Sequence, residues 1–265
     1  MIREITIGQY YDTESVIHRL DPRVKLVATL VYIIAIFIVD SIPGYFCAAA
    51  VVCIAVALSK VPVRFIVKGL RPIMLILLIT VLFNMILTPG EILVSIWKIN
   101  ITREGLRIGI TMALRLVLLI TGTSLMTLTT TPNNLTDAME RLLRPLMRIK
   151  VPVHEIAMMM SIALRFIPIL LEETDIIMKA QMARGADFEN GNLIKRAKAL
   201  VPILVPLFIS AFRRANDLAM AMEARCYSGG AGRTRMKPLV YARRDYIAYF
   251  FVWAFLIGCI LIRIF

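Results

Sequence analysis

Three runs of this chain contain no charged residue: Ser41 to Ser59, Pro72 to Gly90 and Leu116 to Thr136. Each is close to the ~20 residues an α-helix needs to cross a bilayer core. Two shorter runs, Leu26 to Val39 and Tyr246 to Ile262, have charges only at their edges, where long side chains reach the interface, and bring the expected spans to five. A chain built this way is expected to be an all-α membrane protein, because helices satisfy their own backbone hydrogen bonds in lipid.

The charges are gathered between these runs. The chain is 59% hydrophobic yet has a formal net charge of +13, which in a polytopic protein points to a basic cytoplasmic side rather than to nucleic-acid binding. Arg3, Arg19, Arg23 and Lys25 precede the first span, no basic residue separates the first two, and Lys60, Arg64, Lys68 and Arg71 follow the second. That alternation places the N-terminus in the cytoplasm. The connection "EILVSIWKINITREG" holds only Lys98 and Arg103, and its alternating apolar residues suit a short extracellular hairpin. The region 130–244 holds 18 basic residues and is expected to be cytoplasmic. Within it, Ala199 to Phe212 is apolar but only 14 residues long and interrupted by Pro202 and Pro206, so it reads as a helix buried against protein or lying in the interface. Five crossings then leave the C-terminus outside.

Other classes find little support. The opening "MIREITIGQYYDTESVIHRLDPRVK" carries acidic residues and no cleavage-site pattern, so no removable signal peptide is expected. The four cysteines form no CxxC pair and read as buried or bystander thiols, and no metal site is expected. No GxxxxGK[ST] phosphate loop, HExxH pair or nucleophile elbow occurs, and His18 and His154 read as local caps or interfacial groups. No catalytic residue is assigned.

Thr131 before Pro132 reads as an N-cap with proline in the first turn. The helix it opens carries Leu135, Met139, Leu142, Leu143 and Leu146 on one stripe, opposite Glu140, Arg141, Arg144 and Arg148. In the next segment the apolar portion Ile156 to Leu164 is nine residues long before Arg165, too short to span, and Met158, Met159 and Met160 offer an adaptable surface or ordinary core packing. Gly105 and Gly109 match a close-packing spacing that chance explains equally well. Arg115 falls well inside a span, roughly 15 Å from Gly105 at ~1.5 Å per residue, where an unpaired cation costs at least ~2.5 kcal/mol. Either the span starts later and Arg115 snorkels, or it faces protein or water, and a structural role is favoured.

Two short stretches repeat one another: "AQMARGADF" and "AMEARCYSG", with Arg184 and Arg225 41 positions apart. In the first, Gly185 suits a left-handed residue just past a helix end, and an arginine in the last turn complements the helix dipole. Capping alone does not account for alanine beside the arginine both times, Ala183 and Ala224, which leaves room for a partner to close around a guanidinium. In the second stretch Cys226 replaces glycine, which puts that geometry in doubt there and suggests that the helix ends later, at Gly229 and Gly230.

With these motifs the chain resembles the transmembrane (T) component of energy-coupling factor transporters, the ATP-driven vitamin and metal-ion importers of prokaryotes. The likeness rests on "SVIHRLDPRVKL", "ITREGL", "EIAMMMSIALRFIPILLEE" and the paired Ala-Arg-small motifs, in that order over nearly the whole chain. The apolar runs and charges divide the chain into four membrane helices in 1–129, a cytoplasmic region in 130–244 and a last membrane helix in 245–265, and the likeness implies that the cytoplasmic region is a platform of coupling helices. It further implies that Ala183, Arg184, Gly185, Ala224, Arg225 and Cys226 engage two ATP-binding-cassette ATPases, expected as a heterodimer, which bind the ATP and magnesium. Leu135, Met139, Leu142 and Met158 to Met160 would face a substrate-binding membrane S component, with the Met-rich surface leaning towards a T component shared among several. A T component dedicated to biotin, cobalt or nickel, a stand-alone secondary transporter and a membrane scaffold are the rival readings.

Overall fold

The protein was analysed as a computed structural model, which describes residues 10–96, 99–186, 188, 193–229 and 238–264. Eight α-helices, one 3₁₀ turn and one β-hairpin are found among them. Residues 8–138 with 238–265 form one compact unit, and 139–237 belong to another.

In the first unit, α1 (Pro22–Ile38) opens on Asp21, whose carboxylate accepts the Arg23 N–H. α2 (Ile42–Ser59), α3 (Val63–Leu87) and α4 (Arg103–Thr129) follow, and α8 (Arg243–Ile264) returns from the C-terminal end of the chain. Small side chains let α1, α2, α4 and α8 approach: Ala35, Ala48 and Cys259 are fully buried in one cluster with Tyr32, Ile36 and Leu118. The large apolar residues of α3 point outward instead, Leu75, Phe83 and Leu87 among them, as lipid contact requires. Between α3 and α4, β1 (Ile92–Ile96) pairs antiparallel with β2 (Ile99–Thr102), Ile96 facing Ile99, which is the hairpin the alternating segment suggested.

The expected fourth span is corrected at both ends. α4 begins at Arg103, because Thr102 caps it by accepting the Gly105 N–H. It stops at Thr129, since Thr130 is extended and Thr131 opens a new helix at Pro132, with its hydroxyl accepting the Asn134 N–H. Arg115 is thus mid-helix, and it faces protein. Its guanidinium donates to the carbonyl of Val39 at the end of α1 and to Asp40, both at 2.9 Å, and to the Tyr45 hydroxyl at 3.1 Å. That network supplies the pairing a cation at this depth needs.

The Gly105 and Gly109 pair turns out to be a true packing site. A Cβ on Gly105 would lie 2.6 Å from the Asn84 carbonyl oxygen and 3.1 Å from Met85 Cα, both backbone atoms of α3 that cannot rotate away. At Gly109 the nearest atom is the Val81 Cγ1, at 3.3 Å. Gly105→Ala is therefore expected to cost ~2 kcal/mol, within the range for overpacking, and Gly109→Ala clearly less. Thermal unfolding in detergent checks this, and equal midpoints for the two variants would refute it.

α5 (Pro132–Leu143) passes at Arg144 into a 3₁₀ turn, Arg144–Ile149. Pro145 lacks an N–H and cannot continue the helical ladder, and Lys150 in the left-handed region ends the turn. α6 (Val153–Ala183) and α7 (Leu193–Ala224) complete the second unit.

Six described helices are long and apolar enough to cross a membrane: α2, α3, α4, α6, the 198–224 part of α7, and α8. α1, the first expected span, is 17 residues long. The additions to the expected spans are α6 and α7. Arg165 and Pro168 do not interrupt α6, nor Pro202 and Pro206 α7, so short apolar runs become parts of helices of 31 and 32 residues.

Candidate functional site

The repeated arginine tips belong to α6 and α7, and two polar residues of α6, Gln181 and Glu173, set how these helices pair. Pro206 has no N–H to offer the carbonyl of Pro202 one turn earlier. That orphaned oxygen accepts Gln181 Nε2 from α6, in a long bond of 3.4 Å. Further along, Glu173 Oε1 accepts the Ser210 hydroxyl, and its Oε2 accepts Arg214 Nη2 at 3.1 Å and Nε at 3.2 Å. Gln181 opposite Pro202 and Glu173 opposite Ser210 define one antiparallel register. Arg225 then falls beside Met158, and the two line the same pocket.

This register places Arg184 at one end of the helix pair and Arg225 at the other. A rise of ~1.5 Å per residue from position 158 to 184 separates the two tips by about 40 Å. Neighbours by likeness in the sequence are distant in space.

Both tips have the same backbone. After α6, the Gly185 N–H donates to the Met182 carbonyl and the Ala186 N–H to Gln181, both at 3.0 Å, with Gly185 at φ +88°. After α7, the Cys226 N–H donates to Glu223 at 2.8 Å and the Tyr227 N–H to Met222 at 3.0 Å, with Cys226 at φ +54°. Each is a Schellman cap with the arginine as the last helical-side residue. The expected later helix end is therefore corrected: α7 stops at Ala224, Gly229 lies beyond the turn, and Gly230 is outside the described residues. Cysteine adopts the left-handed conformation here because the two cap bonds compensate its steric cost. Cys226→Gly is expected to stabilise the protein by about 1 kcal/mol, the penalty relieved at one left-handed position. A raised thermal midpoint checks it, and a lowered one would mean that the thiol makes contacts worth more than the strain.

Ala183, Arg184, Gly185, Ala224, Arg225 and Cys226 are all exposed. Neither arginine makes an ion pair among the described residues. The methionine run does not form a single surface: Met158 is half-buried beside α7, whereas Met159 and Met160 are exposed. Leu135, Met139 and Leu142 are half-buried on α5, and the exposed apolar side chains lie just after them, at Leu143, Leu146, Met147 and Ile149. His154 Nδ1 lies 3.0 Å from Glu140 and ties the start of α6 to α5. His18 is a local cap: its Nε2–H donates to the Tyr11 carbonyl while Nδ1 accepts from Ser15, and burial pulls its pKa below the usual value.

Sequence reasoning passed over Glu173, Ser210 and Arg214. The acidic pair Glu172 and Glu173 and the basic pair Arg213 and Arg214, each following an apolar run, were the available signal, since such charges need partners. Which partner each takes depends on a register that appears only in three dimensions.

Residues 13–237 match the family model CbiQ, described as a cobalt transport protein. The chain is 59% identical over 250 residues to an energy-coupling factor transporter transmembrane protein EcfT of Clostridium kluyveri, covering 94% of this chain and 93% of that one. A protein of the same description from Thermosediminibacter oceani is 52% identical over 262 residues, 99% of each chain. Another from Bacillus subtilis is 49% identical over 246 residues, 92% of this chain and 93% of the relative.

Proposed function

Because this chain belongs to the CbiQ family, among the energy-coupling factor transporter transmembrane proteins, and is a multi-pass membrane component of a transporter, we propose that it couples two ATPases to a substrate-binding S component for vitamin uptake. The observation that carries this reading is the pair of identically capped arginine tips about 40 Å apart, at opposite ends of one helix pair. Each tip engages one ATPase of a heterodimer, and ATP and magnesium are bound there. Closure of the ATPases moves the tips, the helix pair carries the motion, and the S component responds by releasing its cargo inward. The tips must bind the open and closed ATPases with different strength, since equal binding would shift nothing.

In this reading the N-terminus is cytoplasmic and the C-terminus outside. α6 and α7 lie against partners and the membrane surface rather than crossing it, which suits the charges spread along them, Arg165, Glu172, Glu173, Arg213 and Arg214. The exposed apolar residues of the 3₁₀ turn, with Met159 and Met160, form the adaptable surface for the S component and support a T component shared among several.

Purification from native membranes in mild detergent, with partners identified by mass spectrometry, tests the proposal. Two ATPases and several S components are expected. A single S component would indicate a dedicated importer. Absence of ATPases, or uptake into liposomes by this chain alone, would overturn the assignment.

A further inference from the structure

The turn after α7 does more than end a helix. With Cys226 at φ +54° and Gly229 at φ +94°, the chain folds back, and residues 227–229 become a wall of a pocket of about 530 Å³. Its apolar lining includes Met158 and Ile162 of α6 and Met222 of α7, and Ser228 lies in the wall. Two arginines line it, Arg165 from the middle of α6 and Arg225 from the tip. None of its lining residues is acidic. Both arginines are exposed and without an ion pair among the described residues.

We infer that Arg165 and Arg225 form a single socket for an ATPase segment that presents a carboxylate beside an apolar side chain. This rests on the function proposed above and adds to it the chemistry of the partner and a second basic residue. Two guanidiniums around one pocket, uncompensated by any lining acid, repel each other until an anion enters, and each offers a planar fork suited to a carboxylate. The apolar lining supplies the second half of the recognition. Methionines at Met158 and Met222 adjust to the shape of the side chain that enters. The volume accommodates a few side chains rather than the paired acyl chains of a phospholipid. Arg165 also has a reason to sit mid-helix: beside apolar lining a cation is costly unless paired, and a protein carboxylate pairs it.

The test uses the complex of this chain with its co-purified ATPases, titrated after separation of the subunits. Arg165→Ala is expected to weaken ATPase binding at least tenfold, and Arg165→Lys to fall between it and the unaltered protein, because charge is kept and the fork is lost. Ser228→Trp, in an exposed turn outside the helices, should block the socket to a similar degree with both arginines intact, and keeps the test valid if Arg165→Ala fails to fold. If Arg225→Ala weakens binding but Arg165→Ala and Ser228→Trp do not, the socket is refuted and the coupling function stands. If none of the three weakens binding, the coupling role of Arg225 falls with it. If Arg165→Ala and Ser228→Trp instead reduce binding to phosphatidylglycerol vesicles while ATPase affinity is unchanged, the pocket takes a lipid phosphate and the inference is overturned.

Discussion

Replacing Arg184 and Arg225 together with alanine is expected to abolish ATP-driven uptake and to release the ATPases from the purified complex. Truncating one partner of a buried, hydrogen-bonded charge pair at an interface costs ~2–5 kcal/mol. The tips are about 40 Å apart by the helical rise and no described residue contacts both, so their effects should add. Each single variant would then lose at least tenfold in affinity, and the double variant at least a hundredfold. Folding should survive, because both side chains are exposed at helix ends, where removing an arginine forfeits only ~0.3–1 kcal/mol of dipole interaction. Co-purification yield and uptake in whole cells are the measurements. A double variant that assembles and transports normally would remove these arginines from the mechanism.

The second large effect is expected at Asp245, which is 1% exposed. Its Oδ2 accepts the Ala242 N–H at 2.7 Å, just before α8, as an acid in the first turn of a helix does when it reaches back to the cap. Its Oδ1 accepts the Asp21 N–H at 2.9 Å, at the start of α1. One carboxylate therefore caps two helices whose positions in the chain are far apart. Nearby, the Arg23 guanidinium pairs with Asp21 at 2.7 Å and stacks 3.8 Å over the Tyr241 ring. Asp245→Ala would orphan the buried Asp21 N–H, at ~1–3 kcal/mol, and the half-buried Ala242 N–H, at less because water still reaches it. A combined loss of about 3 kcal/mol is expected, read as a fall of several degrees in the thermal midpoint in detergent. Asp245→Asn should recover only part of it, because the amide nitrogen cannot accept the second bond. A midpoint within a degree of the unaltered protein for Asp245→Ala would refute the double cap.

Much of the local structure was legible in advance. Thr131 and Pro132 open α5, Gly185 closes α6 in the left-handed region, and the alternating residues before Arg103 pair as a hairpin. These features arise from neighbouring residues and their own backbone, so a local pattern carries them. The extents of α4, α6 and α7 were less legible. Charges and prolines look like breaks in an apolar run, yet Arg115 is paired by residues of α1 and α2 and their junction, and the carbonyl freed by Pro206 is paired by Gln181. A defect stops being a break once a distant group compensates it.

By itself, the sequence determined an all-helical membrane protein and two matching arginine tips, because apolar run length and charge segregation depend on composition along the chain. Only the tertiary structure decided that the tips lie at opposite ends of one helix pair, that Cys226 takes the glycine conformation, and that Arg165 shares a pocket with Arg225. Each of these follows from the antiparallel register of α6 and α7 or from cap bonds strong enough to hold an unfavourable φ. Those energies belong to contacts between segments, and no single segment contains them.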